Sequence, residues 1–246
     1  MANTRWAAAL TVTIEAVRDT TVLRTHGVLD EISYVPLRDK IIHAALGEPR
    51  AVVIDVTDLA VPAESAWSAV SSARWHVSRW PRIPIALVCN GPASDILGVP
   101  VYPTVESAIE ALPNTDHRRR HRARAELPAT NASLSRAREL ISAWLTAWSQ
   151  IDLIPVTKIV VTALVENVLQ HTDSRPFVRL ETEGDSVTVA VEDTSHIAAG
   201  FTERAVGSDV PPSGLRIVSV LCRMWGNAPT PTGKTVWAVL GPENCL

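Results

Sequence analysis

Five arginines in eight residues, His117-Arg118-Arg119-Arg120-His121-Arg122-Ala123-Arg124, cut this chain into two parts of similar size. Residues 1–116 hold 9 basic against 13 acidic side chains, and residues 125–246 hold the same numbers. Each flank therefore carries a net −4, and the whole positive excess sits in the joint. A block of like charge repels itself and stays solvated, so it predicts a linker or a helix surface rather than a core element. A patch that docks on the acidic flanks and a weak nucleic-acid contact are the sharper readings. No aromatic is interleaved among the arginines, so specific nucleic-acid recognition is not expected. The predicted organisation is a first domain over 1–112, a linker over 113–125 and a second domain over 126–246.

The rest of the composition narrows the class. A chain of 246 residues accommodates two ordinary domains. With 46% hydrophobic and 20% charged residues, both parts have enough apolar surface to fold. A net charge of −3 sets up no field that demands nucleic acid or anionic lipid. The three cysteines, Cys89, Cys222 and Cys245, are far apart and form no CxxC pair, which fits a reducing, cytoplasmic compartment better than a disulfide framework. No run approaches the ~20 apolar residues of a membrane span. The first residues lead straight into a strand pattern, so a signal peptide is not expected.

The first part reads β-β-α-β-α-β-(loop)-α. Residues 9–16 and Thr21 to His26 alternate as strands, with Asp19-Thr20 as the turn. Pro36 to Leu46 carries a helical stripe of Leu37, Ile41, Ile42, Ala45 and Leu46. Ala51 to Val56 is a continuous apolar run ended by Asp55 and Asp58, as a buried parallel strand requires. Pro62 to Trp80 reads as a helix with Pro62 near its start, Ile83 to Val88 as a second buried strand, and Thr104 to Leu112 as a helix capped by Thr104. A small mixed sheet with packed helices follows.

Val53-Ile54-Asp55-Val56-Thr57-Asp58-Leu59 followed by Ala63-Glu64-Ser65-Ala66 resembles the STAS domain of anti-sigma-factor antagonists. In that family the strand leads to an Asp-Ser-Ser-Gly loop whose second Ser, at a helix N-terminus, accepts phosphate. Ser65 falls on that position and is the phosphoacceptor that the resemblance implies. Free N–H groups and the helix dipole favour added negative charge there. The Asp and Gly of the family loop are Ala63 and Ala66 here. Without the resemblance, Ser65 is a first-turn residue.

In the second part, Asn131 to Gln150 reads as an amphipathic helix with Leu134, Ala137, Leu140, Ile141, Trp144, Leu145 and Trp148 on one face. Pro155 opens a helix that runs to about His171. Phe177 to Thr182 and Ser186 to Val191 form a hairpin around Glu183-Gly184-Asp185. Gly214 to Trp225 reads as a helix and Thr235 to Leu240 as the last strand. One sheet with helices on a single face is the expected architecture.

Four short motifs lie on this frame in fixed order: Val165-Glu166-Asn167 with His171, Val191-Glu192-Asp193, Ser213-Gly214-Leu215, and Thr232-Gly233-Lys234-Thr235-Val236-Trp237. Together they resemble the ATP-binding fold of the GHKL superfamily, shared by gyrase, histidine kinases and bacterial anti-sigma serine kinases. The resemblance implies an α/β sandwich binding ATP or ADP with Mg²⁺. Asn167 would hold the Mg²⁺ through its amide oxygen, since that ion prefers hard oxygen ligands. Asp193 would accept from the adenine amino group, and Thr235 would support the same edge. Gly214 and Leu215 would open a helix toward the phosphates. Ser195 and Gly233 complete the implied nucleotide-binding set, and Thr194 to Ser213 would be the lid.

The pattern also departs from the family. The Glu that serves as general base one helical turn before the Asn is Ala163, so no catalytic residue is assigned. Glu166 lies about 100° away around the helix and is a poor substitute. A family glycine is Ser195, and a Gly-x-Gly pair is reduced to Pro212-Ser213-Gly214. Taken singly, Asn167 reads as a helix-to-backbone bridge, Asp193 as a strand-end turn residue, Trp225 and Trp237 as packing, and His171 as a complement to the helix dipole. The histidines show no metal spacing.

The expectation is a bacterial regulator of the anti-sigma partner-switching type. It would bind ATP or ADP weakly or not at all and act through protein contacts. A sigma factor, an anti-sigma protein or a STAS protein is the expected partner, with docking of the two domains on each other or a homodimer as further possibilities. One alternative is an active serine/threonine kinase that phosphorylates a STAS partner or its own Ser65. Another is a nucleotide-free pseudokinase scaffold.

Overall fold

The computed structural model describes residues 9–90, 95–96, 98–112, 120–195, 214–230 and 232–245. The chain divides into two compact units, Met1–Thr115 and Asp116–Leu246.

The first unit opens with an antiparallel hairpin of β1 (Thr11–Val17) and β2 (Thr20–Val28). Then come α1 (Tyr34–Leu46), β3 (Val52–Ala60), a 3-10 turn at Glu64–Trp67 running into α2 (Ser68–Arg79), and β4 (Ile85–Val88). β5 (Asp95–Ile96), β6 (Val99–Tyr102) and α3 (Val105–Ala111) complete it. The sheet order is β1-β2-β3-β4-β6-β5, with β2, β3, β4 and β6 parallel to one another and β1 and β5 antiparallel at the two edges. β4 and the first half of β3, Val52 to Ile54, are apolar runs because both faces are covered there. Val22, Val53 and Ala86 are matched across three strands and pack with Val105, Ala108 and Ile109 of α3. Leu23, Ile54 and Leu87, one residue on, are fully buried and project from the opposite face. Thr104 caps α3 as its sequence predicts: its hydroxyl accepts from the Ser107 N–H at 3.1 Å, and Ser107 Oγ accepts from the Thr104 N–H at 3.2 Å.

Two expectations for this unit are corrected. The helix over 62–80 is a 3-10 turn followed by α2, and Pro62 precedes both. The stretch between β4 and α3, read as loop, contains the short strands β5 and β6. Pro100 within β6 and Pro103 after it mask the strand signal, since proline lacks the ladder donor.

The second unit contains β7 (Arg120–Glu126), α4 (Ala132–Ala147), α5 (Ile154–His171), β8 (Phe177–Glu183), β9 (Ser186–Asp193), α6 (Gly214–Leu221), β10 (Met224–Thr230) and β11 (Gly233–Leu240). Its sheet is antiparallel throughout, in the order β10-β11-β9-β8-β7. Gly184, at φ 59, makes the β8–β9 turn. Val178, Leu180, Val189, Val191, Val236 and Ala238 line one face of the sheet. They share a core with Ile141 of α4, Val160 and Leu164 of α5, and Val218 of α6. The opposite face carries Trp237, whose ring fills the space that the absent Gly226 side chain leaves, 2.7 Å from where a Cβ would stand.

Two strands of this sheet replace expected loop and helix. From Arg120 onward the arginine-rich joint is the edge strand β7, not linker. Its arginines find carboxylates on the neighbouring strand: Arg120 and Arg122 both pair with Glu181, the latter at 3.2 Å. Residues 117–119 of the run lie outside the described residues. The helix expected over Gly214 to Trp225 ends at Leu221, and Met224 to Thr230 pairs with β11. Gly226 and Pro229 suit an edge strand better than a helix interior.

Candidate functional sites in the two units

In the first unit Ser65 sits in the 3-10 turn between β3 and α2, with its side chain exposed. Its backbone carbonyl accepts from the Ser68 hydroxyl, which ties the turn to the first residue of α2. A cleft of about 410 Å³ opens beside it, lined by Leu29, Asp30 and Tyr34 on one side and by Pro62, Ser65 and Ser68 on the other.

The wall opposite Ser65 is stiffened by a local network. Asp30 Oδ1 accepts from the Ile32 N–H at 3.0 Å and the Ser33 N–H at 2.9 Å. The Ser33 hydroxyl accepts from the Asp30 N–H at 2.8 Å and lies within donating distance of the Val28 carbonyl at 3.0 Å. Hydrogen bonds from the Ser33 backbone and side chain hold the Asp30 carboxyl below the usual carboxylate range, so it is a fixed negative charge at neutral pH. The same loop presents Ile32 at 86% exposure, and the first turn of α1 presents Val35 at 45%. Neither side chain carries a signal in the sequence, because their exposure is set by the fold.

In the second unit the end of β9, the start of β11 and the sequence motifs meet. The β9–β11 register sets Asp193 opposite Lys234, and Thr235 opposite Glu192. Asp193 and Lys234 therefore share the helix-facing side of the sheet, and the buried Thr235 projects from the other side. Lys234 Nζ lies 3.0 Å from Asp193 Oδ2 and 3.2 Å from Oδ1. The Ser195 N–H donates to Oδ1 at 2.7 Å, and the Ser195 carbonyl is 3.5 Å from the ammonium. The side chains of Lys234 and Asp193 are 7% and 0% exposed. Gly233 lets the strands approach: a Cβ there would stand 2.0 Å from the Asp193 carbonyl oxygen.

Asn167 is half buried on α5, and its side chain makes no hydrogen bond among the described residues. One turn earlier, Ala163 is buried against the start of α6. Leu215 is a core residue, 4% exposed, and packs among the sheet and helix side chains. Ser213 and most of the expected lid, 196–213, lie outside the described residues.

The fit to a nucleotide is therefore partial. The acceptor assigned to an adenine amino group is engaged by this chain's own ammonium and backbone, and position 163 offers no base. Thr235, implied by the resemblance as a support for the adenine edge, lies on the other side of the sheet from Asp193, and the β11 residue paired with Asp193 is Lys234. One signal could have found it. A lysine at the start of a strand that runs on as Val-Trp-Ala-Val-Leu needs a carboxylate on a neighbour if it is buried, and Asp193 ends the adjoining one. Among the described residues no cluster of His, Cys, Asp and Glu could hold a metal ion, and no helix is long and apolar enough to cross a membrane.

No family model and no curated protein matches the chain. Several solved structures are similar to part of it. An anti-sigma factor antagonist from Mycobacterium paratuberculosis aligns at 20% identity and a TM-score of 0.36, over 42% of this chain and 94% of its own. The anti-sigma factor antagonist SpoIIAA in its unphosphorylated form aligns at 24% identity and 0.33, over 41% and 96%. The RsbU and RsbW domains of a Mycobacterium tuberculosis protein align at 17% and 0.36, over 49% of this chain and 32% of that one. Likeness at this level assigns no activity.

Proposed function

We propose that this chain is a bacterial regulatory protein of the partner-switching type. Ser65 is its phosphoacceptor, and its second unit works through protein contacts rather than nucleotide turnover. The observation that carries the reading is the place of Ser65: an exposed hydroxyl at the turn into α2, on the rim of a cleft lined also by an ionised Asp30, with the exposed Ile32 and Val35 a few residues along the chain from that aspartate. The apolar side chains give a partner area to bury. The hydroxyl gives the switch. A phosphate would add about −1.5 to −2 charge beside Asp30, Glu31 and Glu64. Like-charge repulsion then changes which partner the cleft accepts. The partner classes that fit are an anti-sigma protein, a sigma factor or another STAS protein.

The test is phosphopeptide mapping of the protein isolated from its host in growth and in stress. Phosphate on Ser65 in one state, with loss of the partner in Ser65→Glu but not in Ser65→Ala, supports the reading. A Ser65 that is unmodified in both states sinks it.

A further inference from the structure

We infer that Lys234 is the built-in ligand of the second unit's pocket. Its ammonium holds the Asp193 carboxylate in place of an adenine amino group and so keeps adenine nucleotides out. The inference rests on reading residues 126–246 as a pocket of the nucleotide-binding type.

The geometry supplies the argument. Asp193 has no exposed side-chain surface and Lys234 almost none, so water does not compete for either charge. Oδ1 takes both the Ser195 N–H and the ammonium. Oδ2 lies 3.0 Å from Nζ, yet it has no aligned hydrogen bond. The ammonium thus sits within 3.2 Å of both oxygens, where a planar N–H donor would have to stand to bind the same carboxylate. The ammonium and such a donor cannot share the space.

Two effects favour the lysine. A charge-assisted contact to a carboxylate is stronger than one from a neutral amine. The lysine is also tethered one residue from Gly233, whose close approach to the Asp193 carbonyl fixes the strand, so it competes at high effective concentration. Binding a purine would require the amine to swing outward on its four-carbon stem. That movement is available to lysine, but it leaves the carboxylate with a weaker donor.

The test is calorimetric titration of ADP and adenosine, with and without Mg²⁺, into the full chain. The chains to compare are the unaltered protein, Lys234→Thr, Lys234→Arg, and Lys234→Thr combined with Asp193→Ala. No binding at millimolar ligand is expected for the unaltered protein or Lys234→Arg. Lys234→Thr should bind at least about tenfold more tightly, and the double variant should lose the gain. Circular dichroism checks that each variant folds.

Should Lys234→Thr unfold, the unaltered protein answers alone. Lys40, Lys158 and Lys234 are its three lysines, so acylation read by mass spectrometry reports each. Lys40 and Lys158 should label quickly, and Lys234 should stay protected with and without millimolar ADP. Rapid labelling of Lys234 overturns the inference. Asp193-dependent nucleotide binding by the unaltered protein also overturns it while keeping the nucleotide reading. A folded Lys234→Thr that binds nothing removes the inference and the nucleotide reading together.

Discussion

Gly214 opens α6 directly against Ala163: a Cβ at 214 would lie 3.1 Å from the Ala163 carbonyl oxygen and 3.3 Å from its Cβ. The position where a general base would be needed is thus a packed contact between two helices. Ala163→Glu, the substitution that would restore a base by sequence, places a carboxylate in this contact without a partner. Loss of roughly 3 kcal/mol is expected from overpacking and unpaired burial. No phosphotransfer should appear. Urea denaturation and a radiolabelled-ATP assay check the two halves of this prediction.

Asp193→Ala should destabilise the second unit by about 3–5 kcal/mol, because it leaves the Lys234 ammonium buried alone. Asp193→Asn combined with Lys234→Met removes both charges and should recover most of the loss. Equilibrium denaturation of the two variants decides the point; equal losses would mean that the pair contributes through shape rather than charge.

Burial pushes the Cys222 thiol up to about 12, so almost none of it is thiolate at pH 8. Cys245 is exposed. A disulfide-exchange reagent at pH 8 should modify Cys245 quickly and reach Cys222 only after denaturant is added. Peptide mapping of the modified sites gives the answer directly.

His76 packs edge-on to Trp75, with ring centroids 4.9 Å apart. Burial lowers its affinity for a proton, Arg38 and Arg79 lower it further, and Asp39 opposes them. The folded value lies below the unfolded one, so the unfolded chain takes up the proton first. The contribution to stability is therefore complete above about 6.5 and is lost as pH falls through the depressed folded value. His76→Gln should flatten that part of the profile. An imidazole NMR titration that gives an ordinary or raised value would contradict this.

The elements legible in sequence are those whose signal is local. The Thr104 cap needs only Ser107 three residues on, and β4 and the Val52-Val53-Ile54 start of β3 announce themselves as apolar runs. β7 and β10 were hidden for opposite reasons. The arginines of β7 look solvated until Glu181 arrives from a strand about sixty residues away. β10 follows a helix with one turn's interval, and its Trp225 extends the helical stripe by chance. The candidate site shows the same split. Asp193 was visible as a strand end, but which β11 residue faces it is a question of register, and a shift of one residue exchanges Lys234 for Thr235.

The hydrogen bonds that Asp30 and Ser33 exchange have a kinetic consequence. They fix the turn carrying Ile32 before any partner arrives, so its backbone has little motion left to surrender on contact. Encounter should then be governed by orientation and charge steering rather than by waiting for a loop to order. Breaking the turn with Ser33→Ala would slow association and leave the apolar contact surface unchanged in composition.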